Sequence, residues 1–340
     1  MADGAHRDLA ARCRISAAGH AGSPVTLRKR VLITGAGGFI GRWSVAPLLE
    51  KGYEVHAVRS GAGAVPAELH GATLHVADLL QEPQIDALLT RVVPTHLLHF
   101  AWIATPGVYW QSADNFRWRA ASEHLLRRFR ALAGVRAVMA GSCVEYDWST
   151  GGVCEEQSTL ADAAGAPLSP YAAGKIALYR YLTAFAQEQH LSAAWGRIFF
   201  QYGPHEHPDR LVPSVIRHLL LDQEALCTHG RQIRSFLHVA DVGAAFAGLM
   251  DSGCEGAVNI GSGEGIALKD LIERIAREIG RPALVRLGAR SAPTGEPSSL
   301  LPDIRRLRDE VQWQPRFTLS EGITDTIAWW RTQLSLSSGT

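Results

Sequence analysis

Arg30-Val31-Leu32-Ile33-Thr34 is a short apolar, β-branched run that leads directly into Gly35-Ala36-Gly37-Gly38-Phe39-Ile40-Gly41. A helical stretch, residues 43–51, follows and ends at Gly52. A strand apolar on both faces has to lie inside a sheet covered on both sides. The helix after it has to cross over, right-handed, to a parallel neighbour. The alternation continues down the chain. Residues 54–58, 72–76, 96–101, 137–140 and 193–199 read as strands, and 85–93, 115–133 and 171–189 as helices. The predicted class is α/β, a doubly wound parallel sheet of the Rossmann kind.

Past Phe200 the pattern becomes irregular, with Pro204, Pro208, Pro213 and a Pro/Ser/Gly-rich stretch at 291–302. That predicts a smaller C-terminal lobe for binding substrate. The division expected is a cofactor-binding domain over 25–200, returning near 234–262, and a lobe over 201–335. Residues 1–24 carry Arg7, Arg12 and Arg14 without an apolar run, which excludes a secretory signal. Asp3 and Asp8 argue against a transit peptide, leaving a flexible tail or an over-extended start as the expectation.

Composition removes several classes. With 46% apolar and 20% charged residues in 340, the chain is globular rather than disordered. A net charge of +1 argues against a strongly basic nucleic-acid binder. No apolar run reaches the ~20 residues of a membrane span. Cys13, Cys143, Cys154, Cys227 and Cys254 are odd in number and lack CxxC spacing, so neither a disulfide framework nor a metal site is expected. A reducing cytoplasm fits. Only four lysines occur, Lys29, Lys51, Lys175 and Lys269.

In the glycine loop the spacing GxGxxG fails, because its third glycine would fall on Ile40. GxxGxxG holds at Gly35, Gly38 and Gly41. Between a strand and a helix, such a loop lets backbone approach a pyrophosphate at a helix N-terminus. Phe39 and Ile40 belong to the same contact set. The second strand ends His56-Ala57-Val58-Arg59-Ser60, with no acid to bond an adenosine ribose. Arg59, Ser60 and the nearby Arg42 suit a 2′-phosphate, so NADP(H) is preferred and NAD(H) is the alternative. Asp78 after the third strand is placed to accept from the adenine amino group.

Tyr171 and Lys175 are one helical turn apart behind Pro170. A neighbouring ammonium and a cationic nicotinamide are expected to lower the phenol pKa, fitting Tyr171 for general acid–base work. Ser142, after the fifth strand, is placed to hydrogen-bond the reacting oxygen.

With these motifs the chain resembles the extended short-chain dehydrogenase/reductases of the NAD(P)-dependent nucleotide-sugar epimerase/dehydratase family. The resemblance runs from about residue 31 to 331. It adds Asp78-Leu79, His99-Phe100-Ala101, Asn115, Tyr202-Gly203-Pro204, Arg234-Ser235-Phe236-Leu237-His238-Val239-Ala240-Asp241, Asn259-Ile260-Gly261-Ser262-Gly263 and Phe317-Thr318-Leu319 with Gly322-Ile323. It implies cofactor contacts at Leu79, Phe100, Ala101 and Lys175, and a nucleoside diphosphate sugar as substrate. Arg234 is expected on the diphosphate, with Arg210 assisting, and Trp102 and Cys143 on the substrate side. It also implies a homodimer through the helices at 115–133 and 171–189, both read as apolar around much of their circumference.

Sugar 4,6-dehydratases of that family follow the catalytic Ser/Thr with Asp and Glu. Here Cys143 and Val144 stand there, and Glu145 comes one position too late, which argues against a dehydratase. His205-Glu206-His207 lacks metal-site spacing and reads as a substrate-side loop. Three readings stay open. The first is an NADP(H)-dependent reductase of a nucleoside diphosphate 4-keto-6-deoxysugar. The second is a 4-epimerase with retained nicotinamide. The third, a non-catalytic NADP sensor, is opposed by the intact Ser142, Tyr171 and Lys175.

Overall fold

The computed structural model describes residues 29–337 except 62, 150, 166, 293 and 294. The tail expected over 1–24 lies outside the described residues. Seven parallel strands form the main sheet: β1 (Arg30–Thr34), β2 (Glu54–Arg59), β3 (Thr73–Val76), β4 (His96–His99), β5 (Arg136–Ser142), β6 (Ser192–Ile198) and β7 (Gly256–Ile260). Their spatial order is β7-β6-β5-β4-β1-β2-β3, the doubly wound arrangement expected.

Side chains of β1 alternate between the two faces, as a pleated strand requires. Val31 and Ile33 enter one core with Val45, Leu48, Phe246 and Leu249. Leu32 enters the other, with Ile85, Leu89, Leu125, Phe129, Leu178 and Leu182. The first core is roofed by α1 (Val45–Glu50) and α6 (Val239–Asp251), the second by α2 (Glu82–Val92), α3 (Asp114–Ala131) and α4 (Pro170–Gln189). Register aligns the carboxyl ends, with Thr34 opposite both Val58 and His99, and Ser142 opposite Ile198. The loops that carry the predicted site therefore leave the sheet on one edge, where the strand order reverses beside β1.

Three expectations need correction. The helix expected over 43–51 is a 3-10 turn, Gly41–Ser44, running into the six-residue α1, and Gly52, at φ +79°, ends it. Second, α3 is not apolar around much of its circumference. Its buried face is Asn115, Ala121, Ser122, Leu125, Leu126 and Phe129, while Arg117, Arg119 and Arg127 face outward. Third, the chain past Phe200 is more regular than expected. It forms α5 (Leu211–Leu220), α6, α7 (Leu268–Ile279), α8 (Arg305–Asp309) and α9 (Leu319–Ser337). Leu271, Ile272, Ile275 and Ala276 of α7 pack on Val212, Ile216 and Leu219 of α5 and Ile323 and Ile327 of α9. The helical period was present in α7, but proline- and glycine-rich connections on both sides obscured it.

The two parts of the chain interlock. Gly152–Cys154 pairs with Ser299–Pro302, which pairs with Ile233–Arg234, and Ile266–Ala267 completes that small sheet. Phe200–Tyr202 pairs with Phe236–His238. Among the described residues no helix is long and apolar enough to cross a membrane, and Cys143, Cys154, Cys227 and Cys254 are free and buried.

Candidate active site

The glycine spacing has a steric cause. Gly35 has φ +67°, and a Cβ there would lie 2.8 Å from the Ala101 nitrogen. A Cβ on Gly38 would come within 3.1 Å of the Gly35 carbonyl, and one on Gly41 would collide with that carbonyl and meet Ala36 Cα at 3.0 Å. The loop is folded tightly onto itself and onto the end of β4. Its bare backbone therefore fits the close approach a dinucleotide pyrophosphate makes. Phe39 and Ile40 are half-buried in it.

Both arginines of the expected phosphate site are at the loop but engaged. Arg42 donates to the Gly37 and Gly38 carbonyls at 2.8 and 3.0 Å, and faces Glu68 at 3.7 Å. Arg59 flanks Gly37, and its guanidinium donates to the carbonyls of Gly61, Gly63 and Ala64. Ser60 beside it is exposed. Asp78 Oδ1 accepts from the Leu80 N–H at 2.9 Å, a local turn, and Leu79 is a core residue.

The end of β4 is fixed by a relay with a determined direction. Ser122 Oγ donates to the Trp118 carbonyl at 2.7 Å, so it accepts from His99 Nε2 at 2.8 Å. His99 Nδ1 then accepts from the Thr34 hydroxyl at 2.7 Å, and Thr34 Oγ1 takes the Ala101 N–H at 3.4 Å. Burial, with the Lys175 charge nearby, pushes His99 down to about 3, so it stays neutral. Phe100 packs edge-on against Phe246, with ring centroids 4.7 Å apart.

Tyr171 and Lys175 open α4 on one face, as the spacing predicts. Ser169 caps the helix by accepting from the Ala172 N–H at 3.1 Å, and Pro170 supplies the first turn. The Ser142 hydroxyl lies near the Tyr171 phenol. Its ring packs edge-on against Tyr109 at 4.8 Å and against Trp110 at 6.0 Å. Lys175 is buried, donates from Nζ to the Ala140 carbonyl at 2.8 Å, and lies 4.0 Å from the Trp102 ring centroid. Burial pushes this lysine down to about 7, against the opposing pull of Glu145. In the absence of a nicotinamide, burial raises Tyr171 well above an ordinary tyrosine, and the nearby Ser142 hydroxyl only partly offsets it. The ammonium is directed to Ala140 and the tryptophan rather than to the phenol.

Ser142 ends β5 and starts the 3-10 turn Cys143–Glu145, accepting from the Val144 N–H while Glu145 accepts from the Ser142 N–H at 2.7 Å. Glu145 is fully buried and paired with Arg197 at 2.8 Å. Sequence reasoning set Glu145 aside and did not find Arg197. Its signal was a charged residue inside the apolar strand of residues 193–199. Cys143 is buried, and burial pushes its thiol up to about 12.

On the substrate side, Trp102 is locked by its N–H to Asn115 Oδ1 at 2.8 Å and packs on Lys175. Arg210 is exposed and reaches the Tyr109 hydroxyl at 3.5 Å, which places it beside the ring packed on Tyr171. Sequence reasoning missed Tyr109, because nothing in its local pattern marks it. Arg234 is buried, 5.4 Å from the Phe200 ring centroid, and faces Glu296 at 3.6 Å. His205, Glu206 and His207 do not converge. His205 binds Glu68 at 2.7 Å, and His207 faces Asp209 at 3.7 Å. Glu206 is pushed up to about 8 by burial, with Arg210 opposing. Among the described residues no cluster of three or more side chains could hold a metal ion.

Residues 31–261 match the model of the NAD dependent epimerase/dehydratase family. The dTDP-glucose 4,6-dehydratase of Xanthomonas campestris pv. campestris is 26% identical over 91% of this chain and 95% of its own length. The structure of UDP-glucose 4-epimerase from Thermus thermophilus with NAD is similar at 25% identity and TM-score 0.78, covering 89% of this chain and 99% of that one. MoeE5 in complex with UDP-glucuronic acid and NAD is similar at 29% identity and TM-score 0.74, with the same coverage. A doubly wound sheet, a tight glycine loop and a tyrosine–lysine helix on one edge agree with these likenesses, and the chain belongs to the NAD dependent epimerase/dehydratase family.

Proposed function

We propose that the protein is an NADP(H)-dependent reductase of a nucleoside diphosphate 4-keto-6-deoxysugar. The observation that carries this reading is the set at the carboxyl edge of the sheet, Tyr171 and Lys175 on one face of α4 beside Ser142 at the end of β5. Preference for the reductase over the epimerase rests on the end of β2, which lacks the acid that would select NAD. A nicotinamide bound at the glycine loop would supply the hydride to C4. Tyr171 gives the proton to the carbonyl oxygen, Ser142 holds that oxygen, and Lys175 holds the cofactor ribose. Arg234 and Arg210 take the diphosphate side, where a guanidinium suits paired phosphate oxygens. Cys143 and Val144 supply no acid or base for a 4,6-elimination.

The NAD in the similar structures supports a nicotinamide dinucleotide here. Preference for the 2′-phosphate form rests on the missing acid at the end of β2 and on Arg59 beside Gly37. Binding would exchange the backbone carbonyls now on Arg59 for phosphate oxygens. Arg59→Ala should weaken NADPH about tenfold or more and leave NADH unchanged. Tighter NADH than NADPH binding by the wild type would end the preference.

The function is tested by following NADPH absorbance with dTDP-, CDP- and GDP-linked 4-keto-6-deoxyhexoses. Stoichiometric oxidation with one member establishes the reductase. The similarity to UDP-glucose 4-epimerase favours a second reading, C4 inversion with retained cofactor. No oxidation across the panel, with an inverted product from an alcohol-form substrate, would establish that instead. A homodimer through α3 and α4 belongs to the same proposal. It is supported by their side-by-side packing and by Phe116 exposed on α3, and light scattering tests it. A cytoplasmic location is supported by the free thiols among the described residues.

A further inference from the structure

We propose that Glu145 is a positioning residue of this site, its buried carboxylate held by Arg197 while it fixes Ser142 and sets the charge around Lys175 and Tyr171. The inference rests on the reading of Ser142, Tyr171 and Lys175 as the reacting set.

Glu145 and Arg197 have side chains 0% and 1% exposed, an expensive place for two charges. Capping a short turn does not demand that expense, since a glutamine makes the same reciprocal bonds. Three donors converge on the carboxylate. The Ser142 N–H reaches Oε1 at 2.7 Å, while Trp195 Nε1 and Arg197 Nε reach Oε2 at 2.9 and 2.8 Å. Gly141 makes room for this, since a Cβ there would meet Oε1 at 2.6 Å and collide with Trp195 Nε1. The Trp195 ring in turn lies 5.9 Å from Lys175 Nζ.

The negative charge acts in one direction on both reacting groups. It favours the ammonium of Lys175 and disfavours the phenolate of Tyr171. His99 faces Lys175 from β4, and Tyr146 and Glu156 lie beyond Arg197. Arg197 Nη1 donates to the Tyr146 hydroxyl at 3.0 Å and to the Glu156 carbonyl at 2.9 Å. Tyr146 continues to Asn259 at 2.7 Å, and Asn259 holds the carbonyls of Cys154 and Asp303. The Ser142 turn is thereby anchored to β6, to β7 and to the strand Gly152–Cys154.

The experiment uses the full chain labelled with [13Cε]lysine. Only four lysines occur, and Lys175→Arg identifies the Lys175 signal. In Glu145→Gln the Lys175 titration should move to lower pH, with turnover falling about tenfold at nearly constant KM. If that variant fails to fold, the double variant Glu145→Gln/Arg197→Gln removes both buried charges together and should show the same movement. A titration that stays in place in the folded variants overturns the role of Glu145, whatever happens to the melting temperature. Turnover retained by Tyr171→Phe would instead reject the underlying reading of the site.

Discussion

Replacing Lys175 by methionine should raise stability at neutral pH while ending turnover. The wild-type lysine drops from 10.5 to about 7 on folding because its charge is buried. The unfolded chain therefore binds more protons than the folded one between those values, and wild-type stability rises with pH across that window. The penalty is complete below pH 7, at about 5 kcal/mol. It is roughly 4 kcal/mol at pH 7 and roughly 1 kcal/mol near pH 9.5. Against it stand the hydrogen bond to Ala140 and the contact with Trp102, each about 1 kcal/mol. Methionine fills the volume without the charge, for a net gain of about 2 kcal/mol at pH 7. With an unfolding entropy of roughly 0.7 kcal/mol/K for a chain this long, that is a melting rise of about 3 °C. The gain should vanish near pH 9 and turn into a small loss, under about 1 kcal/mol, at pH 9.5. Melting followed at both pH values decides it. A variant that melts below wild type at pH 7, or whose advantage does not shrink with pH, refutes the reasoning.

Tyr171→Phe should lower turnover at least a hundredfold and leave cofactor affinity within twofold, read by NADPH oxidation and by titration calorimetry. In Gly41→Ala the new Cβ runs into the Gly35 carbonyl, so we expect lost cofactor binding and about 1–3 kcal/mol of destabilisation by urea unfolding; normal affinity would contradict the packing of the loop. Glu206, pushed up to about 8, has a penalty on its ionised form that is absent below its ordinary 4.5 and grows until the pH passes about 8. Wild type should accordingly lose stability between about pH 5 and 8 relative to Glu206→Gln; parallel melting curves across that range would count against it.

Much of the site is local in the sequence. Gly35, Gly38 and Gly41 lie within one turn, Tyr171 and Lys175 share a helix face, and Ser142 ends a strand. Each is legible because periodicity fixes where a short motif falls on its element. The sequence shows that the end of β2 lacks an acid, but not which way Arg42 and Arg59 turn. Both guanidiniums turn to backbone carbonyls that a sequence pattern does not display. Glu145 and Arg197 illustrate the same limit. They are 52 positions apart and meet only because β5 and β6 are neighbours in register.

The alternation of apolar strands and helices, with glycines after the first strand, already determined a doubly wound parallel sheet, because chain connectivity and handedness leave few other ways to bury those strands. Tertiary structure decided the electrostatics. The spacing of Tyr171 and Lys175 puts an ammonium one turn from a phenol. Burial raises the phenol and lowers the lysine, since the cost of removing charge from water depends on everything packed around it. Desolvation sums over the whole fold, and no local motif carries that sum.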